Sequence, residues 1–207
     1  KFMRKNTMVA KIPLIILVFC LIFGLLGSYL VWQSPPVNDQ PTMAEDLLLA
    51  EVKEMEEKLL TYQEKVEADP ENLTAWIGKA NLEYDFGNLL YEVEDYENGT
   101  NYFKQATESY QQALKYEPEN IKLITDLATA AMRSWQDELA EANFQKAIAL
   151  DPNFLDARVN YGFYLYNVKG DQRGAIKEWE AALDTKPDSE EVVKALEALI
   201  EQAKNKE

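Results

Sequence analysis

Histidine is absent from the 207 residues, and cysteine occurs once, at Cys20. Without histidine the chain has neither the commonest general base near neutral pH nor the commonest metal ligand. One cysteine excludes an internal disulfide and a thiolate metal cluster, and no CxxCH haem-attachment sequence occurs. Cys20 lies inside the apolar run "LVFCLIFG" and reads as a buried membrane residue, since its context is not a lipoprotein cleavage box. There are only 8 glycines, and no glycine-rich phosphate loop follows a strand-like run. These absences point away from an enzyme, a metal centre, a cofactor and a small-molecule substrate.

Positive charge is also scarce, with 21 Lys and Arg against 36 Asp and Glu. Residues 1–42 hold Lys1, Arg4, Lys5 and Lys11 against Asp39, a net of +3. The remainder has 17 cationic and 35 acidic residues, a net of −18. A field of that sign disfavours nucleic acid and anionic lipid surfaces as partners of the acidic part, and keeps it soluble.

Charge is missing altogether from "IPLIILVFCLIFGLLGSYLVW", residues 12–32. Twenty-one residues at about 1.5 Å each span about 30 Å, the thickness of a hydrocarbon core. Pro13 falls in the first turn, where its missing N–H costs nothing, and Tyr29 and Trp32 mark the far interface. The run is longer than a typical signal-peptide core and no A-x-A site follows, so an uncleaved signal anchor is expected. The cations before the span put residues 1–11 in the cytoplasm and everything after Trp32 on the extracytoplasmic side of a single-pass cell-membrane protein. The polar, proline-rich stretch "QSPPVNDQPT", residues 33–42, is a tether. Thr42 with Glu45 then makes a capping box that opens a helix.

The rest of the chain repeats itself. "ATESYQQALKYEP" (106–118), "AEANFQKAIALDP" (140–152) and "AIKEWEAALDTKP" (175–187) share one skeleton of Ala, aromatic, Ala and Pro. From Ala106 to Ala140 is 34 residues, and from Ala140 to Ala175 is 35. A fixed period of this size marks stacked supersecondary units. The skeleton reads as the second helix of a helix pair. Its alanines allow close approach, its aromatic (Tyr110, Phe144, Trp179) fills the space one turn away, and its proline ends the helix. The first helices carry Trp76 and Ala80, Ile124 and Ala128, and Arg158 and Gly162.

This pattern resembles the tetratricopeptide repeat family over about residues 44–205. The second helices keep every marked position, whereas Arg158 replaces the usual large apolar residue and Glu83 stands where an aromatic is common. The resemblance implies an all-α fold, a solenoid of about three helix pairs with capping helices, here behind the N-terminal transmembrane helix. The domain of residues 43–207 divides into a cap helix at 43–68, repeats at 73–120, 121–154 and 155–189, and a C-terminal cap helix at 190–205. Polar outer faces at both ends fit a solenoid's need for solubility.

One unit is interrupted. Ala80 and Ala106 are 26 residues apart, against 12 for Ala128 and Ala140, so residues 89–102 form an insert expected to project from the turn edge. Either the first helix continues to about Glu97, or Gly87-Asn88 breaks it, and Asn98-Gly99 is a turn signal. Tyr91, Tyr96 and Tyr102 are its contact candidates. A calcium loop is rejected, because Gly99 at the sixth position would put Tyr96 at a ligand position.

The family's groove positions, carried over, are Ile77, Asn81 and Tyr84, then Thr125, Thr129, Met132 and Arg133, then Val159, Phe163, Tyr166 and Asn167. The resemblance implies a groove that binds a protein or peptide partner, with Arg133 as its one central cation. Asn81 matches the Lys–Asn clamp of chaperone-tail binders, but Ile77 replaces its lysine, so such a tail is not expected. The order of anchor, tether, entry segment and repeats is also similar to the repeat subunits of bacterial cytochrome c maturation. That likeness implies an adaptor in the assembly of an envelope or respiratory complex. The other reading is a structural subunit that uses its convex face or the insert.

Overall fold

The computed structural model describes residues 43–205, with side chains from Ala50 onward. The basic N-terminus, the apolar span 12–32, the tether and the Thr42–Glu45 capping box lie outside what it describes. Among the described residues there are eight α-helices and no strand. None of these helices is long and apolar enough to cross a membrane.

Helix α1 (Met43–Ala68) precedes three hairpins. These are α2 (Leu73–Glu92) with α3 (Tyr96–Ala113), α4 (Ile121–Arg133) with α5 (Asp137–Leu150), and α6 (Leu155–Tyr164) with α7 (Gln172–Asp184). A π-helical turn, Leu165–Lys169, continues α6. Helix α8 (Glu190–Lys204) packs on α7 and closes the stack. Each helix contacts the next one from α2 onward, and α4 also packs directly on α6. The first helices of successive pairs therefore share one face of the stack, and the fold is an α-solenoid of the tetratricopeptide type.

The marked positions explain why these segments pair. Ala106, Ala113, Ala140, Ala147, Ala175 and Ala182 are fully buried, as are Phe144 and, within a few per cent, Tyr110 and Trp179. Opposite them sit Ala80, Ala128 and Gly162, so that backbones approach closely where the aromatic lies across. A Cβ on Gly162 would stand 2.3 Å from the Trp179 indole nitrogen. Helix α1 keeps the same device: Tyr62 covers Gly78, although Lys58 and Lys65 replace the alanines and remain exposed.

Caps fix where the helices begin. Asn72, Asp95, Asn120, Asp171 and Ser189 each accept a hydrogen bond from the backbone N–H three residues on. The three hairpins turn in the same way. Glu94, Trp135 and Gly170 adopt left-handed backbone with φ of 62°, 60° and 66°. The following N–H groups of Asp95, Gln136 and Asp171 reach back to the carbonyls of Leu90, Ala131 and Leu165 at 2.8, 2.9 and 2.8 Å. This closes each first helix and satisfies a terminal carbonyl.

Of the two courses expected for the insert, the structure follows the continued helix, which ends at Glu92 rather than near Glu97. Residues 89–102 lengthen both arms of the first hairpin, giving helices of 20 and 18 residues against 13 and 14 in the second pair. Gly87 does not break α2, and the expected turn at Asn98-Gly99 is instead the first turn of α3. The real turn is Val93–Asp95. Both glycines serve close approach: a Cβ at Gly87 would meet the Phe103 ring at 2.5 Å, and one at Gly99 the Tyr91 ring at 2.5 Å.

Candidate functional site

Two of the positions that depart from the repeat pattern are structural. Glu83 is 1% exposed between α2 and α3. It pairs with Lys79 and accepts a 2.6 Å hydrogen bond from the Ser109 hydroxyl, while Lys79 donates to Ser109 at 3.1 Å. Burial pushes its carboxyl above the ordinary range, and the bonds from Lys79 and Ser109 pull it back. Arg158 binds Glu178 at 2.6 Å and donates from Nε to the Pro152 carbonyl at 2.5 Å. The indole of Trp76 makes the same contact to the Pro70 carbonyl at 2.8 Å, and Lys146 supplies it to Pro118 at 2.8 Å. The arginine thus retains the link from each pair to the proline that precedes it.

The face formed by the first helices carries a cleft of about 370 Å³ between α4, α6 and the start of α8. Phe154, Leu155, Val159 and Val192 form its apolar wall, and Lys122, Thr125, Asp126, Asp156 and Asn160 its polar one. Thr125 and Val159 are the two expected groove residues that line it. Thr125 is 2% exposed, and its hydroxyl is spent on the Ile121 carbonyl at 2.9 Å. Thr129 donates to the Thr125 carbonyl at 2.9 Å and accepts from the Asn160 amide at 3.2 Å, tying α4 to α6.

The other expected residues have varied fates. Asn81 is exposed and accepts from the Tyr110 hydroxyl at 2.7 Å. Ile77 and Tyr84 half-cover the core of the first pair, and Met132, Val159, Phe163 and Tyr166 flank the larger core of the second and third. Phe163 and Tyr166 both pack on Trp179, with ring centroids 5.6 and 5.7 Å away. Asn167 sits in the π-turn and donates to the Phe163 carbonyl, in the last turn of α6, at 3.0 Å.

Arg133 is not a free cation in the groove. Its guanidinium lies 4.6 Å from the ring centroids of both Tyr91 and Phe103 and donates to Asn88 at 3.2 Å. It pins the lengthened hairpin to the second pair. Of the insert tyrosines, Tyr91 is held edge-on to Phe103 and hydrogen-bonded to Thr100 at 2.8 Å, and Tyr102 stacks on Phe86. Only Tyr96, 55% exposed, presents itself to solvent, near a hairpin tip like Trp135, which is 70% exposed.

The sequence reading missed Lys122, Asp126, Asp156 and Asn160. They were findable. Asp126 and Asn160, like Lys122 and Asp156, occupy matching places one period apart, on the ridge beside Thr125 and Val159. Burial lifts the Asp126 carboxyl above its usual range against the pull of Lys122, and the charge on Asp156 raises it further. Burial likewise raises Asp85 on α2.

No family model and no curated protein matches the chain. Solved structures do. One MamA crystal structure is 18% identical, with 75% of this chain and 80% of that one covered and a TM-score of 0.56. A second MamA structure is 17% identical over 80% and 91%, also with a TM-score of 0.56. MamA residues 41 to the end from Desulfovibrio magneticus RS-1 is 19% identical over 69% and 73%, with a TM-score of 0.52. At such identities the likeness speaks for the fold, the same stack of helix pairs that the repeat skeleton predicts.

Proposed function

We propose that this chain is a non-enzymatic adaptor, held to a membrane by residues 12–32, whose first-helix face binds a protein or peptide segment on the extracytoplasmic side. The observation that carries it is the cleft between α4 and α6, which sets the Asn160 amide and the carboxylates of Asp126 and Asp156 beside an apolar wall. Amides bond an extended backbone and the wall receives its side chains. The anchor and its direction rest on the uncharged span and its one-sided cations. A role in envelope or respiratory assembly, cytochrome c biogenesis included, rests on the order of anchor, tether and repeats.

Photo-crosslinking in native membranes tests the site. A crosslinking residue at Asn160 should capture a partner, one at Glu108 on the outer side of α3 should not, and Asn81→Ala with Asn160→Ala should reduce partner retention. A second reading has its own support: Tyr96 and Trp135 are exposed aromatics at hairpin tips, suited to docking within a larger complex. Capture from position 96 or 135 but not from 160 would decide for that reading. Topology is tested by adding protease to spheroplasts. The repeats should be digested without lysis, and full protection would place them in the cytoplasm.

A further inference from the structure

The charges on the first-helix face specify its occupant more narrowly than the groove alone does. Asp85, Asp126 and Asp156 stand on α2, α4 and α6, one from each pair. Asp126 and Asp156 both line the cleft. Against them stands Lys122, whose ammonium lies 2.7 Å from Asp126 on a side chain that is 70% exposed, an ion pair that water already screens and that an incoming cation would share. The other cations of the first helices are committed elsewhere. Arg133 is stacked between Tyr91 and Phe103, Lys79 is paired with Glu83, and Arg158 is paired with Glu178.

We propose that the cleft accepts a peptide segment bearing a basic side chain, Lys or Arg, whose charged head meets Asp126 and Asp156 while its aliphatic stem lies on Phe154, Leu155, Val159 and Val192. This rests on the groove reading above and gives its partner a charge. A carboxylate-tailed ligand would face two acidic groups with only Lys122 to meet it, so the preference runs opposite to that of an acidic tail binder. Long basic side chains suit such a site because they bury methylenes and keep the charge at a polar rim. The raised Asp126 carboxyl agrees, since a cation brought beside it would offset the burial of its charge.

The test uses the full chain in a non-ionic detergent and three fluorescein-labelled peptides, identical except for Lys, Gln or Glu at the same positions. Fluorescence anisotropy should show the Lys peptide binding about tenfold more tightly than the Gln peptide, and the Glu peptide more weakly than either. Asp126→Asn with Asp156→Asn should remove most of the Lys advantage. Glu108→Gln with Glu138→Gln, an equal loss of charge at exposed sites on second helices, should leave it nearly intact. Equal binding of Lys and Gln peptides, or an equal effect of the two double variants, overturns the charge assignment. If Asn81→Ala with Asn160→Ala then still weakens both peptides, the groove reading survives that failure. If no peptide binds, or no groove substitution matters, both fall together.

Discussion

At the scale of single residues, the hairpin turns hold the clearest conflict between local preference and position. Trp135 is in left-handed backbone, where a side chain costs about 1–2 kcal/mol relative to glycine, and it covers little of the protein in return. Trp135→Gly should raise the urea midpoint by an amount equivalent to about 1 kcal/mol, and a lower midpoint would show that the indole packs more than its exposure suggests. Gly162 is the opposite case. Gly162→Ala drives a methyl into the Trp179 indole and should cost about 1–3 kcal/mol, read from the same denaturation curve. Glu83 adds a pH-dependent term. Its folded carboxyl is raised, so the folded chain holds that proton more tightly than the unfolded one. Its contribution to stability is then fullest below the unfolded value and is lost as pH rises through the folded one. The stability advantage of the natural chain over Glu83→Gln should therefore shrink from pH 4 to pH 7, and an advantage that grows with pH would mean the ion pair outweighs burial.

At the scale of helices, the second helix of each pair was legible because its signals are local and redundant: two alanines, an aromatic between them and a terminal proline at fixed spacing. The packing follows from that register. Ala140→Leu should force α4 and α5 apart at a cost of about 1–3 kcal/mol. Phe144→Ala should leave a cavity worth about 3–5 kcal/mol, whereas exposed Lys104→Ala on α3 should change little, all by urea denaturation. Equal effects of the three would mean the helix faces are misassigned. The insert was less legible because glycine and Asn-Gly signal turns only when nothing else uses the missing side chain. Here Phe103 and Tyr91 fill the space at Gly87 and Gly99, so tertiary packing overrides the local preference. The groove was legible as a face but not as a chemistry. Which polar groups remain available depends on long-range partners: Arg133 is taken by residues about 30 to 45 positions away and Thr129 by Asn160 at 3.2 Å, and no spacing rule in one helix reveals either.

At the scale of the whole molecule, stability depends on how the units couple. In a stack of pairs, each unit is supported mainly by its neighbours. One cluster of buried residues joins the second and third pairs to α8, and another joins the first pair to α4. Leu139, near the start of α5, packs against both. Removing it should do more than lower stability. Leu139→Ala is expected to cost about 2–5 kcal/mol as a core truncation, less where the half-buried site can collapse. Beyond that cost, it should loosen the link through which the first pair and the third pair unfold together. Hydrogen exchange separates the two effects. In mild urea, amides of α3 around Phe103 and of α7 around Trp179 should open with a common free energy in the natural chain and with distinct ones in Leu139→Ala. Phe86→Ala, whose ring stacks on Tyr102 inside the first pair, should lower protection in α3 more than in α7 without the same decoupling at the centre. If Leu139→Ala lowers both regions by the same amount and leaves them coincident, coupling runs instead through the α3–α4 and α5–α6 contacts as a whole, and no single side chain at the centre controls it.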